Sequence, residues 1–261
     1  MSGRIVAEVR GPVGRLTVAN PDRYNAMSLP MWRMLREAVL HLEHDPEVRV
    51  LVLTGEGDRA FVSGADISGF ATDRDGAAAS EAYDEAVRAA QSALVACVKP
   101  TVARIAGVCM GGGIGLALSC DLRYARSTAR FRMPAARLGL GYSYTGMEQL
   151  VQAVGAACAL DLFLTARAFD GAEAQRVGVV HECFADDAFD RGVAERIGAL
   201  AANAPLTLRA AKAAIRDIVQ PAGPARRAEV EAWVRACFDS ADYREGQLAF
   251  REKRNPKFAG C

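Results

Sequence analysis

The chain has 261 residues, of which 51% are hydrophobic and 24% charged, with a formal net charge of +1. That is the composition of an ordinary globular protein, long enough to build a core without disulfide or metal staples. The near-zero charge argues against nucleic acid or an anionic membrane surface as the main partner.

Residues 4–10 alternate apolar and polar, GPVG turns, and residues 15–19 alternate again, which predicts a β-hairpin with a four-residue loop. ANPDRYNAMS is a loop. Ser28 is placed to cap a helix in which Met31, Leu35, Val39 and Leu42 share one face. VRVLVLTG, nearly continuous in branched apolar residues, is expected to be a strand buried on both sides. GEGDRAFVSGADISGF then forms a loop rich in glycine. Residues 77–97 have a helical period that Lys99-Pro100 ends, and the loop over 73–80 before it sets the size of any pocket nearby. Residues 101–106 form another buried strand, feeding three consecutive glycines, 111 to 113. Residues 114–119 suit a buried helix, and 121–125 suit a strand. Strand, loop, helix and strand thus recur, which argues α/β.

From Met147 onward helical periods dominate, punctuated at Gly155, Gly171, Gly178, Pro205 and Pro221. The tail over 243–257 is a charged amphipathic helix ending at Asn255-Pro256. The composition shifts near residue 200, dividing an α/β core over 1–200 from a helical region over 201–261.

The seven cysteines (97, 109, 120, 158, 183, 237 and 261) are odd in number and form no CxxC pair. They are expected to be reduced, buried thiols of a cytoplasmic protein. MSGRIVAEVR mixes charges and lacks the apolar centre of a secretion signal. The longest uncharged run, 105–120, has 16 residues including five glycines, which is short for a membrane span.

Several motifs are ruled down. GGGIG is not a dinucleotide fingerprint, because Leu116 stands where the third glycine should be. No GxxxxGK[ST] occurs. GYSYT (141–145) lacks the final glycine of a nucleophile elbow. Ser143 has only His181 outside one helix as a candidate base, so a serine-type thioesterase is weakly supported. His41 and His44 could share a metal with Glu43 or Asp45, although a solvated helix end accounts for them as well.

The triple glycine supports two readings. Glycine lets a helix pack closely on a strand, and it also lets a backbone N–H approach a ligand. At a helix start the N–H groups are unpaired and the dipole favours negative charge, which suits an oxygen that becomes anionic during a reaction. FVSGADI (61–67), following a parallel strand, is the candidate to supply a second donor.

FVSGADI and KPTVARIAGVCMGGGIGLALSCDLRYA (99–125) together resemble the two signature segments of the crotonase family, the enoyl-CoA hydratases and isomerases. NPDRYNAM, FLTARAFDGAEAQRVGVVHEC and AFREKR agree, in the right order along essentially the whole chain. The resemblance implies an α/β fold, a crotonase-like spiral of ββα units with a helical C-terminal region that makes a homotrimer or hexamer. It implies an acyl-CoA thioester substrate, with coenzyme A present only as part of that substrate. The thioester oxygen would be held by the N–H groups of Ala65 and Gly112. Arg23, Tyr24, Ala65 and Asp66 would lie near coenzyme A, and Phe250 and Lys253 near its nucleotide, in this subunit or a neighbouring one. Asp66 equally suits a turn cap, Lys253 a solvated charge and Phe250 ordinary helix packing.

The pattern breaks where the hydratases carry two glutamates. Their positions hold Gly115 and Ala135, neither of which can move a proton. Simple hydration is therefore not expected. An oxyanion hole can still stabilise an enolate made by decarboxylation of a malonyl-type thioester. Tyr142 matches a tyrosine of the methylmalonyl-CoA decarboxylases and could orient a carboxylate or protonate the enolate, or it could simply wall the pocket. Glu148 and Asp161, the other nearby acids, suit structural roles. A non-catalytic acyl-CoA-binding protein is the alternative from a different class.

Overall fold

The computed structural model describes residues 3–66 and 77–261. Ile67 of the FVSGADI motif and residues 73–76 of the pocket loop lie outside the described residues. Residues 77–80 belong to a helix.

Strands β1 (Arg4–Arg10) and β2 (Val13–Ala19) pair antiparallel from Arg4↔Ala19 to Arg10↔Val13. The turn is therefore Gly11-Pro12 alone, and the expected four-residue loop is corrected to two. Gly11 sits at φ +56°, the sign that the first position of a tight hairpin turn favours. Four parallel strands follow: β3 (Val50–Gly55), β5 (Thr101–Ile105), β7 (Leu122–Arg126) and β10 (Glu182–Phe184). They complete a six-stranded sheet in the order β1-β2-β3-β5-β7-β10.

Every residue of β3 is buried, as its apolar run requires. Successive side chains point to opposite faces. Leu51 and Leu53 join a core with Met31, Trp32, Leu35, Val39 and Leu42 of helix α1 (Leu29–His44). Val50 and Val52 join a smaller core with Phe189 and Val193 of a later helix. Ser28 occupies the N-cap of α1, but among the described residues its side chain makes no capping hydrogen bond.

A second sheet lies in segments where no strand was expected. Strands β4 (Ala60–Val62), β6 (Val108–Met110), β8 (Arg130–Arg132) and β9 (Ala168–Asp170) pair in the order β4-β6-β8-β9. Three residues are too few for an alternating pattern to register. Large-sheet strand, small-sheet strand and helix then repeat. β3 and β4 lead towards α2 (Ala77–Ala96), β5 and β6 to α3 (Gly112–Leu118), and β7 and β8 to α4 (Ala135–Leu138). This is the ββα spiral that the resemblance implied.

Helix α5 (Tyr144–Thr165) is apolar and long enough, by length and composition, to cross a bilayer. It breaks at Gly155 (φ +75°) and buries Gly146, Leu150, Ala159 and Leu162. Then come α6 (Gly171–Arg176), β10, α7 (Phe189–Ala202), α8 (Pro205–Val219), α9 (Pro224–Asp239) and α10 (Ala241–Glu252). The last helix starts before residue 243 and stops before residue 257, because Lys253 turns into the left-handed region and Arg254 N–H closes onto the Ala249 carbonyl.

All seven cysteines are free thiols. Only Cys97, Cys109 and Cys120 are fully buried, which corrects the expectation for the rest. Cys158, Cys183 and Cys237 are half-buried, and Cys261 in the tail is exposed.

Asp121 ties the helical region to the sheet. Its carboxylate accepts from the Thr101 N–H (2.8 Å) and hydroxyl (3.0 Å), and pairs with Lys212 and Arg216 of α8, each at 2.7 Å. Burial alone would push this carboxyl up, but the two cations outweigh it and hold it below the usual range. A depressed folded value means stability that is present above the unfolded value and lost as pH falls through the folded one. Asp121→Asn leaves the buried Lys212 without its counter-charge, although its bond to the Lys99 carbonyl remains, and should cost about 3 kcal/mol in denaturant unfolding at pH 7. The variant should also lose less of its stability below about pH 4 than the parent does.

Candidate active site

β4 and β6 are parallel neighbours, Ala60 opposite Val108 and Val62 opposite Cys109. The segments leaving their C-terminal ends therefore lie side by side, where open α/β sheets place their ligands. After β4 the chain is pinned by Met27, whose N–H donates to the Gly64 carbonyl (2.8 Å) and whose carbonyl accepts from Asp66 N–H (2.9 Å). The Ala65 N–H between them meets no acceptor among the described residues.

After β6, Gly111 turns the chain at φ +50° and α3 begins at Gly112. The first N–H groups of a helix have no acceptor within it. A Cβ on Gly112 would stand 3.9 Å from the Ala65 nitrogen and 3.8 Å from the Gly64 Cα, so no side chain separates the two N–H-bearing residues. A Cβ on Gly113 would fall 2.0 Å from the Val62 carbonyl oxygen. The glycine run thus serves both readings, close packing at Gly113 and bare backbone at Gly112.

Ala65 and Gly112 open onto a cavity of about 1680 Å³, whose wall also includes Gln91, Ala135 and Tyr142. Behind Gly112 the Trp32 indole N–H donates to the Tyr83 hydroxyl (3.0 Å), which donates to the Met27 carbonyl (3.1 Å). Both rings are almost fully buried, so this chain fixes the back wall.

Of the residues expected near coenzyme A, Arg23 and Asp66 reach the cavity, joined by an ion pair at 3.2 Å. Tyr24 lies off the wall, 44% exposed beneath the Arg59 guanidinium. Phe250, 85% exposed, and Lys253, on the last helix and its cap, do not line this chain's cavity.

The two positions without glutamates differ. Ala135 is buried at the start of α4 and lines the cavity. At Gly115 a Cβ would stand 3.1 Å from the Tyr142 hydroxyl and 3.1 Å from the Gln91 Nε2. Two polar atoms therefore converge where a side chain at 115 would begin. The Tyr142 ring packs edge-on against Phe163, with centroids 5.4 Å apart. Gly146 makes room for it, since a Cβ there would come within 2.5 Å of the ring. Burial pushes the Tyr142 phenol up to about 12, with Cys109 acting in the same direction, so it is a neutral donor at neutral pH.

The serine-hydrolase arrangement does not assemble. The Ser143 oxygen caps α5 by accepting from Gly146 N–H (3.1 Å). His181 accepts from Arg123 N–H (3.2 Å), and burial together with Arg123 lowers it to about 4. Asp161 is held by Arg167 at 2.7 Å, as a structural acid. Trp32, Tyr83 and Gln91 were not anticipated. Trp32 adjoins the Met31 stripe and could have been found there, whereas nothing in the pattern of α2 marks Tyr83 or Gln91.

The chain matches the Enoyl-CoA hydratase/isomerase family model over residues 8–260. It is 33% identical over 257 residues to a probable enoyl-CoA hydratase of Mycobacterium bovis, covering 97% of each chain. It is 31% identical over 258 residues to the peroxisomal Delta(3,5)-Delta(2,4)-dienoyl-CoA isomerase of Arabidopsis thaliana, covering 95% of this chain and 92% of that one. The crystal structure of an enoyl-CoA hydratase/carnithine racemase from Magnetospirillum magneticum aligns with a TM-score of 0.92 at 37% identity, covering 98% of this chain and 96% of that one.

The neighbouring glycines should respond oppositely to one methyl group. Gly112→Ala meets only ordinary contacts and should melt within about 1 kcal/mol of the parent. Gly113→Ala drives a methyl into a backbone carbonyl and should lose about 3 kcal/mol or more. Equal melting of the two variants would contradict the close helix–strand contact.

Proposed function

The chain belongs to the enoyl-CoA hydratase/isomerase family, and from that premise we propose that it stabilises a thioester enolate between the N–H groups of Ala65 and Gly112, with Tyr142 as proton donor. The observation that carries this is the pair of backbone donors without acceptors among the described residues, brought together across a residue that has no side chain. A preorganised donor of this kind contributes about 3–4 kcal/mol of transition-state stabilisation.

Adding water to an enoyl thioester calls for a general acid and base, each contributing about 10²–10⁴-fold. Gly115 and Ala135 provide neither. Decarboxylation of a malonyl-type thioester needs no base. The bond between C2 and C3 breaks, its electron pair enters the thioester carbonyl, and carbon dioxide leaves. The enolate at Ala65 and Gly112 then collapses as C2 takes the Tyr142 hydroxyl proton, and solvent returns a proton to the phenolate. A neutral phenol is the form this step requires.

Assembly is part of the proposal. Leu164, Ile218 and Phe250 are 69, 78 and 85% exposed in the single chain. Such exposure is consistent with self-association, and the family resemblance gives its form as a trimer, or two paired trimers, in which Phe250 and Lys253 approach a neighbour's bound nucleotide.

Product masses test the chemistry. Malonyl-CoA should lose carbon dioxide and crotonyl-CoA should remain unchanged. Tyr142→Phe should lower kcat by about 10²-fold with little change in KM, and Gly112→Val should abolish turnover. The parent's kcat should show no ionisation of Tyr142 through the neutral range. Water gained by crotonyl-CoA at an enzymatic rate would overturn the mechanism. Binding of both thioesters without conversion would indicate an acyl-CoA-binding protein instead.

A further inference from the structure

We infer that the cavity selects acyl thioesters bearing an oxygen on the third acyl carbon, and that Gln91 together with Tyr142 holds that oxygen. The inference rests on the enolate reading of Ala65 and Gly112, and adds to it a second recognition point and a residue outside the signature segments.

Gln91 projects from α2, while Tyr142 lies just before α5, yet their polar ends flank one spot beside Gly115, each 3.1 Å from where a Cβ would stand. Neither polar end has a hydrogen-bond partner in the protein among the described residues, although both side chains line the cavity. A side chain at 115 would wedge between them, so the glycine keeps the spot open. Both ends offer N–H or O–H, and an oxygen acceptor is what two converging donors accommodate.

The spacing identifies which oxygen. Gly115 lies three residues beyond Gly112, about 4.5 Å further along the helix. A thioester whose carbonyl oxygen sits at Gly112 therefore places C1 near the first turn and its C3 substituents near Gly115. A malonyl-type carboxylate and a 3-oxoacyl ketone share an oxygen on C3. A plain hydrocarbon chain has none, and would leave both donors desolvated and unpaired, which penalises its binding. The two groups are also uncharged, so they orient a C3 carboxylate without the strong ground-state ion pair that would oppose its loss.

The test measures equilibrium binding of acetoacetyl-CoA and butyryl-CoA, which differ at C3, by calorimetry. The parent should prefer acetoacetyl-CoA by about tenfold or more. Gln91→Met should reduce that preference about fivefold or more by weakening acetoacetyl-CoA alone, and Tyr142→Phe should act in the same direction. If Gln91→Met also fails to bind butyryl-CoA, Gln91→Asn, which withdraws the amide but keeps its polarity, replaces it and should show the same loss. Equal affinities in the parent, or a preference unchanged by both substitutions, would overturn the inference while leaving acyl-CoA binding intact. Failure of the parent to bind either thioester would overturn the underlying reading as well.

Discussion

The approach of α3 to β4 at Gly113 governs the geometry of the site. With no Cβ at that residue, the helix start comes against the Val62 carbonyl, where even a methyl group would be 2.0 Å away. That contact sets how near Gly112 stands to Ala65. The parallel pairing of β4 with β6 brings the two loops alongside, and Met27 holds the Ala65 segment by hydrogen bonds on either side of it. The bare backbone of Gly112 beside Ala65, on which the proposed oxyanion hole rests, thus follows from a packing constraint one residue away. Preorganisation of this kind is set during folding, so the donors need not reorganise when charge develops.

Around those donors the cavity wall is finished by hydrogen-bonded aromatics and neutral polar groups. Trp32 and Tyr83 engage each other and the Met27 carbonyl, which satisfies their polar atoms within a buried wall. The Gly115 spot, where the hydratase pattern has a carboxylate, is flanked instead by a phenol that burial keeps neutral and by an amide. A carboxylate there could take a proton from water, whereas a neutral phenol and an amide donate or accept hydrogen bonds without acting as a base. Ser143 is engaged in a helix cap and His181 beside Arg123.

Long elements with clear periodicity were legible in the sequence. The apolar run of β3 and the 31, 35, 39, 42 stripe of α1 stand where the pattern placed them. The small sheet was not legible, because its three-residue strands carry no readable alternation and depend on pairing between segments 22 to 48 residues apart. Ala65 and Gly112 were named through the resemblance of the two signature segments, whereas the triple glycine by itself marked only a bare backbone. Gln91 and the destination of the Tyr142 hydroxyl were hidden for a different reason. Both depend on side chains from separate elements meeting at Gly115, and no local pattern encodes that distance. The expected four-residue hairpin loop failed because Val13 and Gly14 pair with Arg10 and Val9 despite the turn-like composition of GPVG.

The central claim is that a thioester oxygen lies between the N–H groups of Ala65 and Gly112. Its most direct test is the infrared difference spectrum of a bound acyl-CoA carrying a ¹³C-labelled thioester carbonyl. Two strong donors weaken the carbonyl bond, so the account predicts a stretch shifted to lower frequency than that of the free thioester. A bound thioester whose carbonyl stretch matches the free one would contradict it.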